Sequence, residues 1–458
     1  VRPDAVALVE GASSMSYRDW NEYADLLASA LSGRGIGADD VIALRARVRM
    51  EGVIVSAAVA KIDARLVVID ASASPRDVRN ILTDSGAVAV ICDDEDLARL
   101  APALDGLSLR LTASISEPIG GFYSFWDLFP PCAPRLYARS RPPMVFYPVG
   151  SSEKPRGVAT TRRLVAPASR SRPPIAEDGA TLIAGRPPGL SVAELAGVAI
   201  GAGRRLVLID AFKPAATLRA IEQHGVTHWI ASPAQVRRLM ALPAGLIARF
   251  DLSSLKSLSV EAAPAAADMQ AWIEATFGPV LAQTYDCPET GPVASVNADL
   301  AARKPGAAGY PLAGVEIEVR GTDGQTAAPG ETGEIWARTS TQIERYFGVD
   351  PFAPPLGDAR GFFRIGDAGW RDADGCLFVT GRTLEFASPI GGHALADIEA
   401  ALKSHPDVMA AVVLAPADDG GAPIVFCETW YGRRATVEAL CAHLRSRFPA
   451  RAPERVQG

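Results

Sequence analysis

The chain reads as an α/β protein. A large, multi-subdomain N-terminal domain of parallel sheets covered by helices carries a small β-barrel, and a small α+β domain follows it. Three observations predict this. Short apolar runs alternate with amphipathic helical stretches up to about residue 284, the pattern of a parallel sheet covered by helices. From about residue 309 the pattern becomes alternating strands between Gly-rich turns, which is antiparallel β material or a small barrel. Beyond Arg382 a helix–strand–strand–helix pattern closes the chain. At 458 residues the chain exceeds one ordinary domain, and the expected division is 1–382 and 383–458.

The first helix is expected over 16–32, where Trp20, Tyr23, Leu27 and Leu31 recur at helical spacing and Ser16 with Asp19 forms a capping-box-like start. Apolar runs at 41–44, 66–69 and 87–91 read as strands, separated by helices at 50–61 and 75–85. After a glycine-rich loop the alternation resumes: strand 206–209, helix 214–224, strand 228–231, helix 233–241, strand 255–260, helix 265–277 and strand 280–284. Val315-Glu-Ile-Glu-Val319 alternates as a half-buried strand. In the last unit, helices at 395–404 and 436–447 flank strands at 409–415 and 423–430. Segments 128–143 and 167–175 read as loops.

Composition narrows the function. Apolar residues make up 48% of the chain, enough for a large soluble core. A formal charge of −6 with dispersed Lys and Arg offers no electrostatic footprint for nucleic acid. No apolar run reaches about 18 residues, so no membrane span is expected, and no secretory signal is visible. The first residue is Val1, so a trimmed N-terminus is expected. Cys92, Cys132, Cys287, Cys376, Cys427 and Cys441 are scattered without a CxxC pair, which argues for reduced cytoplasmic thiols over a zinc site or a disulfide framework.

The most informative stretch is Phe146-Tyr-Pro-Val-Gly-Ser-Ser-Glu-Lys-Pro-Arg-Gly-Val158. Its Gly-Ser-Ser run followed by cations reads as a phosphate-gripping loop, because small residues let backbone N–H groups face an anion and hydroxyls add donors. Taken alone, the stretch is a weak signal, with a surface turn as the plain alternative. It gains force from Tyr285-Asp-Cys-Pro-Glu-Thr-Gly291, Ile365-Gly-Asp-Ala-Gly-Trp370 and Gly381-Arg382, which follow in that order.

Together these segments resemble the adenylate-forming superfamily: acyl-CoA synthetases, luciferase and peptide-synthetase adenylation domains. Ser16-Tyr-Arg-Asp19, Gly225 to Pro233 and Gly330-Glu-Thr-Gly-Glu-Ile335 extend the resemblance over nearly the whole chain. It implies a large domain that binds ATP, Mg²⁺ and a small-molecule carboxylic acid, and a small domain that closes over it. The implied reaction makes an acyl-adenylate, then passes the acyl group to CoA or to the phosphopantetheine of an acyl or peptidyl carrier protein.

By the same resemblance, Gly150, Ser151, Ser152 and Gly157 belong to the phosphate loop, with Arg156 at its usual lysine position as a catalytic cation. Tyr285 and Asp286 lie at the adenine, and Glu289 is the catalytic carboxylate that holds Mg²⁺. Asp367 and Arg382 hold the ribose hydroxyls, while Ala262 and Ala263 flank the adenine and acyl pocket. Gly189 stands where peptide-synthetase domains carry the aspartate for a substrate ammonium, which favours a plain organic, aryl or fatty acid over an α-amino acid. His228 reads as a packed core histidine rather than a catalytic one, and His393 aligns loosely with the thioester-forming loop.

The chain also departs from the pattern. Glu153 replaces a glycine of the phosphate loop, Pro148 and Val149 replace small polar residues, and Asp286 and Pro288 replace a glycine and a threonine. Glu261 precedes the alanine pair, and Leu384 stands where the hinge normally carries Asp or Lys. The chain stops at Gly458, short of the family's C-terminal Gly-Lys motif, and Lys403 lies in a different helix. These departures keep two further readings open: a degenerate homologue that binds a nucleotide, an acyl ligand or a partner protein without turnover, and an enzyme with a variant phosphate grip built on Arg156.

Overall fold

A computed structural model describes residues 2–70, 73–115, 122–136, 144–147, 156–160, 179–185, 196, 203–261, 265, 267–343, 345–349, 356–382, 395–414, 424–430 and 433–447. The expected α/β alternation is present. The segment 137–143 of the first expected loop and all of 167–175 lie outside the described residues.

Two large sheets form the body. The first has seven strands in the order Tyr123–Ser124, Leu111–Ser114, Ala87–Cys92, Val41–Arg45, Arg65–Val68, Met144–Phe146 and Val158–Thr160. All neighbours are parallel except the last pair, which is antiparallel and carries the stem of the glycine loop. The second has nine strands, with a parallel centre from Leu281–Cys287 through Ser257–Val260, Val226–Ala231, Ala180–Ala184 and Arg205–Ile209 to Val6–Glu10. Antiparallel strands finish both edges. Central strands such as Val41–Arg45 and Ala180–Ala184 are buried along their whole length, as continuous apolar runs covered on both faces must be.

Local chemistry sets the helix ends. Ser16 and Asp19 form a reciprocal capping box at the helix Tyr17–Ser32. Ser74 caps Pro75–Ser85, which ends on Gly86 in the left-handed region. Ser232 and Gln235 form a second capping box at Pro233–Met240. The sequence reading began at residue 16 and passed over the hairpin Val6–Glu10 and Ser13–Ser16. It also passed over the helix Asp94–Leu104, whose Pro102 and acidic start obscure the helical period. His228 is buried in its strand with Thr227 Oγ1 2.9 Å from its Nδ1, a satisfied core histidine.

The sheets meet through an apolar layer that includes Leu8, Val48, Met50, Val53, Ile183 and Leu206. A charged cluster caps that layer at the carboxyl ends of the strands. Arg47, after one sheet's central strand, lies 3.3 Å from Asp210, after a strand of the other, and Arg47 and Arg49 both face the buried Asp93. Glu10 accepts the Met50 backbone N–H at 2.8 Å, tying the first strand to the helix Met50–Lys61.

The Gly-rich later segment forms a four-stranded antiparallel sheet, Glu316–Arg320, Gly333–Arg338, Phe363–Arg371 and Leu377–Arg382. Where a barrel was expected, this sheet shares one apolar core with the strand pair Leu281–Cys287 and Gly291–Asn297, through residues such as Val293, Ile317, Ile335 and Phe363. Gly309 makes the closest passage between the two. Its φ is +107°, and a Cβ there would lie 1.9 Å from the Ser295 carbonyl oxygen. The last unit is α+β, with the helices Leu395–Lys403 and Val437–Arg447, a two-stranded sheet and a core of its own that includes Ile398, Leu402 and Leu444. No described helix is long and apolar enough to cross a membrane.

The charged cluster makes stability depend on pH in a stated direction. Burial lifts the Glu51 carboxyl above the ordinary carboxylate range, and the neighbouring Glu10 and Asp93 add to the effect against Arg49. The folded chain therefore binds this proton more tightly than the unfolded chain. The ionised carboxylate costs stability at neutral pH, and the cost fades as pH falls through the raised pKa. Glu51→Gln is expected to melt higher than the parent at pH 8, with the difference shrinking toward pH 5. A thermal melt series across that range checks the sign.

Candidate active site

The adenine-motif residues stand on a strand and its turn rather than in a free loop. Leu281–Cys287 extends past the expected end at 284, and it pairs with Gly291–Asn297 so that Tyr285 faces Ala294 and Asp286 faces Pro292. Glu289 sits in the connecting turn, with Thr290 N–H donating to the Cys287 carbonyl at 3.2 Å. Gly291, at φ +80°, supplies the left-handed residue that resumes the strand.

Two groups of predicted residues come together around this hairpin. In the first, the Tyr285 hydroxyl donates to Asp367 Oδ2 at 2.6 Å, although 82 positions separate the residues. Asp367 lies on Phe363–Arg371 and is paired in antiparallel register with Arg382, the last residue of the neighbouring strand. The sequence reading grouped Tyr285, Asp367 and Arg382, and the backbone places all three at one sheet-to-sheet junction.

The second group surrounds Glu289. Its Oε2 accepts the Cys287 thiol at 2.8 Å and its Oε1 accepts the Tyr346 hydroxyl at 3.1 Å. The Arg156 guanidinium carbon lies 5.3 Å from the centre of the Tyr346 ring, within cation–π range. Tyr346 thus joins the predicted carboxylate to the predicted cation. Both donors stay protonated. Burial, followed by the Glu289 charge, drives the Cys287 thiol far above its usual value, and the same two causes push the Tyr346 phenol up to about 12.

A strap of residues 339–349, described except at 344, fastens the second group. Thr339 and Thr341 hydroxyls donate to the Thr290 carbonyl at 2.6 and 2.8 Å. Ile343 N–H donates to the Glu289 carbonyl at 2.8 Å, and Phe347 N–H donates to the Gly157 carbonyl at 2.6 Å. Gly157 is buried, and a Cβ there would lie 2.9 Å from both Phe347 Cβ and Tyr147 Cζ. What the geometry demonstrates for Gly157 is a packing requirement: only a residue without a side chain lets the strap lie this close. Tyr147 is anchored in turn by a 2.7 Å hydrogen bond to Asp84.

Gly150, Ser151, Ser152, Ala262 and Ala263 lie outside the described residues, as do Pro148, Val149, Glu153, Gly189, Leu384 and His393. Glu261 accepts the Ser259 hydroxyl at 2.5 Å. The sequence reading missed Tyr346, Thr339, Thr341 and Phe347 as site residues, and it saw Cys287 only as a scattered thiol. The thiol two positions before Glu289 was the one local signal. The strap residues carry none, because their contacts arise from the tertiary fold.

The donor set suits a hard cation shared with phosphates. Among the described residues no group of three or more His, Cys, Asp or Glu could hold a metal unaided. Mg²⁺ bound alongside a nucleotide needs only one or two carboxylates, the remainder coming from phosphate and water. Each Glu289 oxygen accepts one side-chain hydrogen bond and keeps lone-pair capacity for such an ion.

Comparison with known proteins identifies the family. Residues 1–347 match the model of the AMP-binding enzyme family. The fatty acid–[acyl-carrier-protein] ligase ScoC of Streptomyces coeruleorubidus is 26% identical over 439 residues, covering 91% of this chain and 82% of that protein. An indoleacetate–CoA ligase of Aromatoleum aromaticum is 26% identical over 440 residues, covering 93% and 85%. The solved structure of the amide bond synthetase McbA from Marinactinospora thermotolerans matches with a TM-score of 0.80 and 27% identity, covering 99% of this chain and 92% of that one. The family match spans well over half of the sequence, so this chain belongs to the AMP-binding enzyme family, the adenylate-forming ligases.

Proposed function

We propose that this protein uses ATP to convert a plain carboxylic acid into an acyl-adenylate and then passes the acyl group to the thiol of CoA or of a carrier protein. The observation that carries the reading is the convergence on one hairpin of a phenol-bound carboxylate, Tyr285 with Asp367, and a second carboxylate, Glu289, joined through Tyr346 to Arg156. Activation of this kind needs little covalent chemistry from the protein. Placement of the acid against the α-phosphate and stabilisation of charge supply most of the rate.

The assigned roles follow the family resemblance. Asp367, with Arg382 across the ladder, accepts the ribose hydroxyls, and Tyr285 lies against the base with Asp286 beside it. Gly150, Ser151, Ser152 and Arg156 hold the phosphates, with Gly157 closing the loop. Ala262 and Ala263 line the adenine and acyl pocket. Glu289 would hold Mg²⁺, which when bound neutralises phosphate charge. We place the domain boundary after Arg382, so that 383–458 forms the small closing domain. None of the six cysteines is disulfide-bonded, which suits a reducing compartment such as the cytoplasm.

The acid is an aryl or fatty acid in this reading. Gly189 offers no carboxylate for a substrate ammonium, and the relatives named above act on a fatty acid and on indoleacetate. One relative favours a second acceptor class: an amide bond synthetase matches over 99% of the chain, so an amine competes with a thiol as the group acylated.

ATP–pyrophosphate exchange with the full-length gene product tests activation. Exchange is expected with members of an aryl and fatty acid panel and not with α-amino acids. Measurable AMP binding without exchange for any acid would instead establish a non-catalytic binder. Offering CoA, a phosphopantetheinylated carrier protein and an amine in parallel separates the acceptors by product. Asp367→Ala is expected to weaken AMP binding by at least about tenfold, since a hydrogen bond to a charged group contributes roughly 1.5–3 kcal/mol. Calorimetric titration with AMP reads this directly, and unchanged affinity would remove the ribose assignment.

A further inference from the structure

The Glu289 carboxylate is aimed by one donor of its own turn, the Cys287 thiol, and by one from outside it, the Tyr346 hydroxyl. Its backbone carbonyl is already taken by Ile343 N–H, so the turn fixes the main chain and leaves the side chain to be set by its two donors. A thiol is a weak donor and a phenol a strong one, which makes the Tyr346 hydroxyl the dominant orienting contact. Tyr346 is itself tightly placed. Three residues before it the chain is bonded to the hairpin, and one residue after it the chain is bonded to the loop stem at Gly157. Its neighbour Phe347 packs on an apolar core, whereas Tyr346 turns its hydroxyl to the carboxylate and its ring to Arg156.

We infer that Tyr346 is a positioning residue for adenylate formation: its hydroxyl holds the Glu289 carboxylate in the orientation that meets the Mg²⁺ of bound ATP, and its ring holds Arg156 on the same side. This inference rests on the reading of Glu289 as the metal-holding carboxylate. The aim of Glu289 therefore depends on one oxygen atom, that of the Tyr346 hydroxyl.

Tyr346→Phe keeps the ring over Arg156 and removes only that oxygen. Binding is measured by calorimetry for AMP without metal, for ATP without metal and for ATP with Mg²⁺, using the parent, Tyr346→Phe and Glu289→Gln. The expected result for Tyr346→Phe is a parent-like melting temperature, AMP affinity within about twofold of the parent, and a loss of about fivefold to tenfold in the affinity that Mg²⁺ adds to ATP. Glu289→Gln is expected to lose that Mg²⁺ gain entirely. If Glu289→Gln loses the gain while Tyr346→Phe keeps it, the positioning role is wrong and the metal reading stands. If Glu289→Gln keeps the gain, the metal reading fails and the inference falls with it. An equal loss of AMP and ATP·Mg²⁺ affinity in Tyr346→Phe, or a collapse of its melting temperature, would mark Tyr346 as merely structural. Tyr346→Leu, which also removes the ring, should in addition weaken inorganic pyrophosphate binding.

Discussion

The carbonyls of Glu289 and Thr290 are held from outside their own hairpin, and the rest of the site hangs on that attachment. Strap residues Thr339, Thr341 and Ile343 supply three donors to two adjacent carbonyls, and Phe347 continues the same strap onto the stem of the glycine loop. Each bond contributes about 0.5–1.5 kcal/mol net. Individually they are modest, but together they fix a turn that would otherwise fray. The turn lies between the nine-stranded sheet, which supplies its hairpin, and the seven-stranded sheet, which supplies the stem. A short irregular segment thereby joins elements of two separate sheets into one working surface.

The same logic explains why both large sheets are needed. The parallel strands put their carboxyl ends on one side, where loops of different origin gather. Charged groups there, Arg47 with Asp210 and Asp93, join strands of the two sheets, and the apolar layer beneath them is continuous. The site residues come from yet another pairing, between the hairpin Leu281–Asn297 and the four-stranded sheet that carries Asp367. Function at such a junction depends on relative placement more than on any single strong contact.

Much of this was legible in the sequence, for local reasons. The helix Tyr17–Ser32 announced itself because its cap, Ser16 with Asp19, and its apolar stripe are both encoded within one segment. Many of the parallel strands were visible as Val, Ile and Leu runs, although Leu111–Ser114, Met144–Phe146 and Ala180–Ala184 were passed over, and two helices ended on Gly86 and Gly225, where a left-handed residue is needed. Tyr285, Asp367 and Arg382 could be picked out because their motif neighbours stand beside them in the chain, and the fold links Tyr285 to Asp367 by a hydrogen bond and Asp367 to Arg382 by backbone register. Tyr346 was invisible for the opposite reason. It lies in a segment with no period, and its partner Glu289 is 57 positions away. The hairpin turn was missed in part because Asp286 and Pro288 depress strand propensity, while pairing with Gly291–Asn297 overrides it.

Gly157 carries a consequence for how this protein tolerates change. The space that its absent methyl would occupy is filled by Phe347 Cβ and the Tyr147 ring, so the loop stem and the strap are spaced by direct van der Waals contact. Such a contact cannot be compressed, and widening it by one carbon would swing the whole strap. Tyr346 would travel with it, away from a carboxylate on a different sheet. A mutation that looks trivial at the stem would thus act as a lever, with its long arm ending at Glu289.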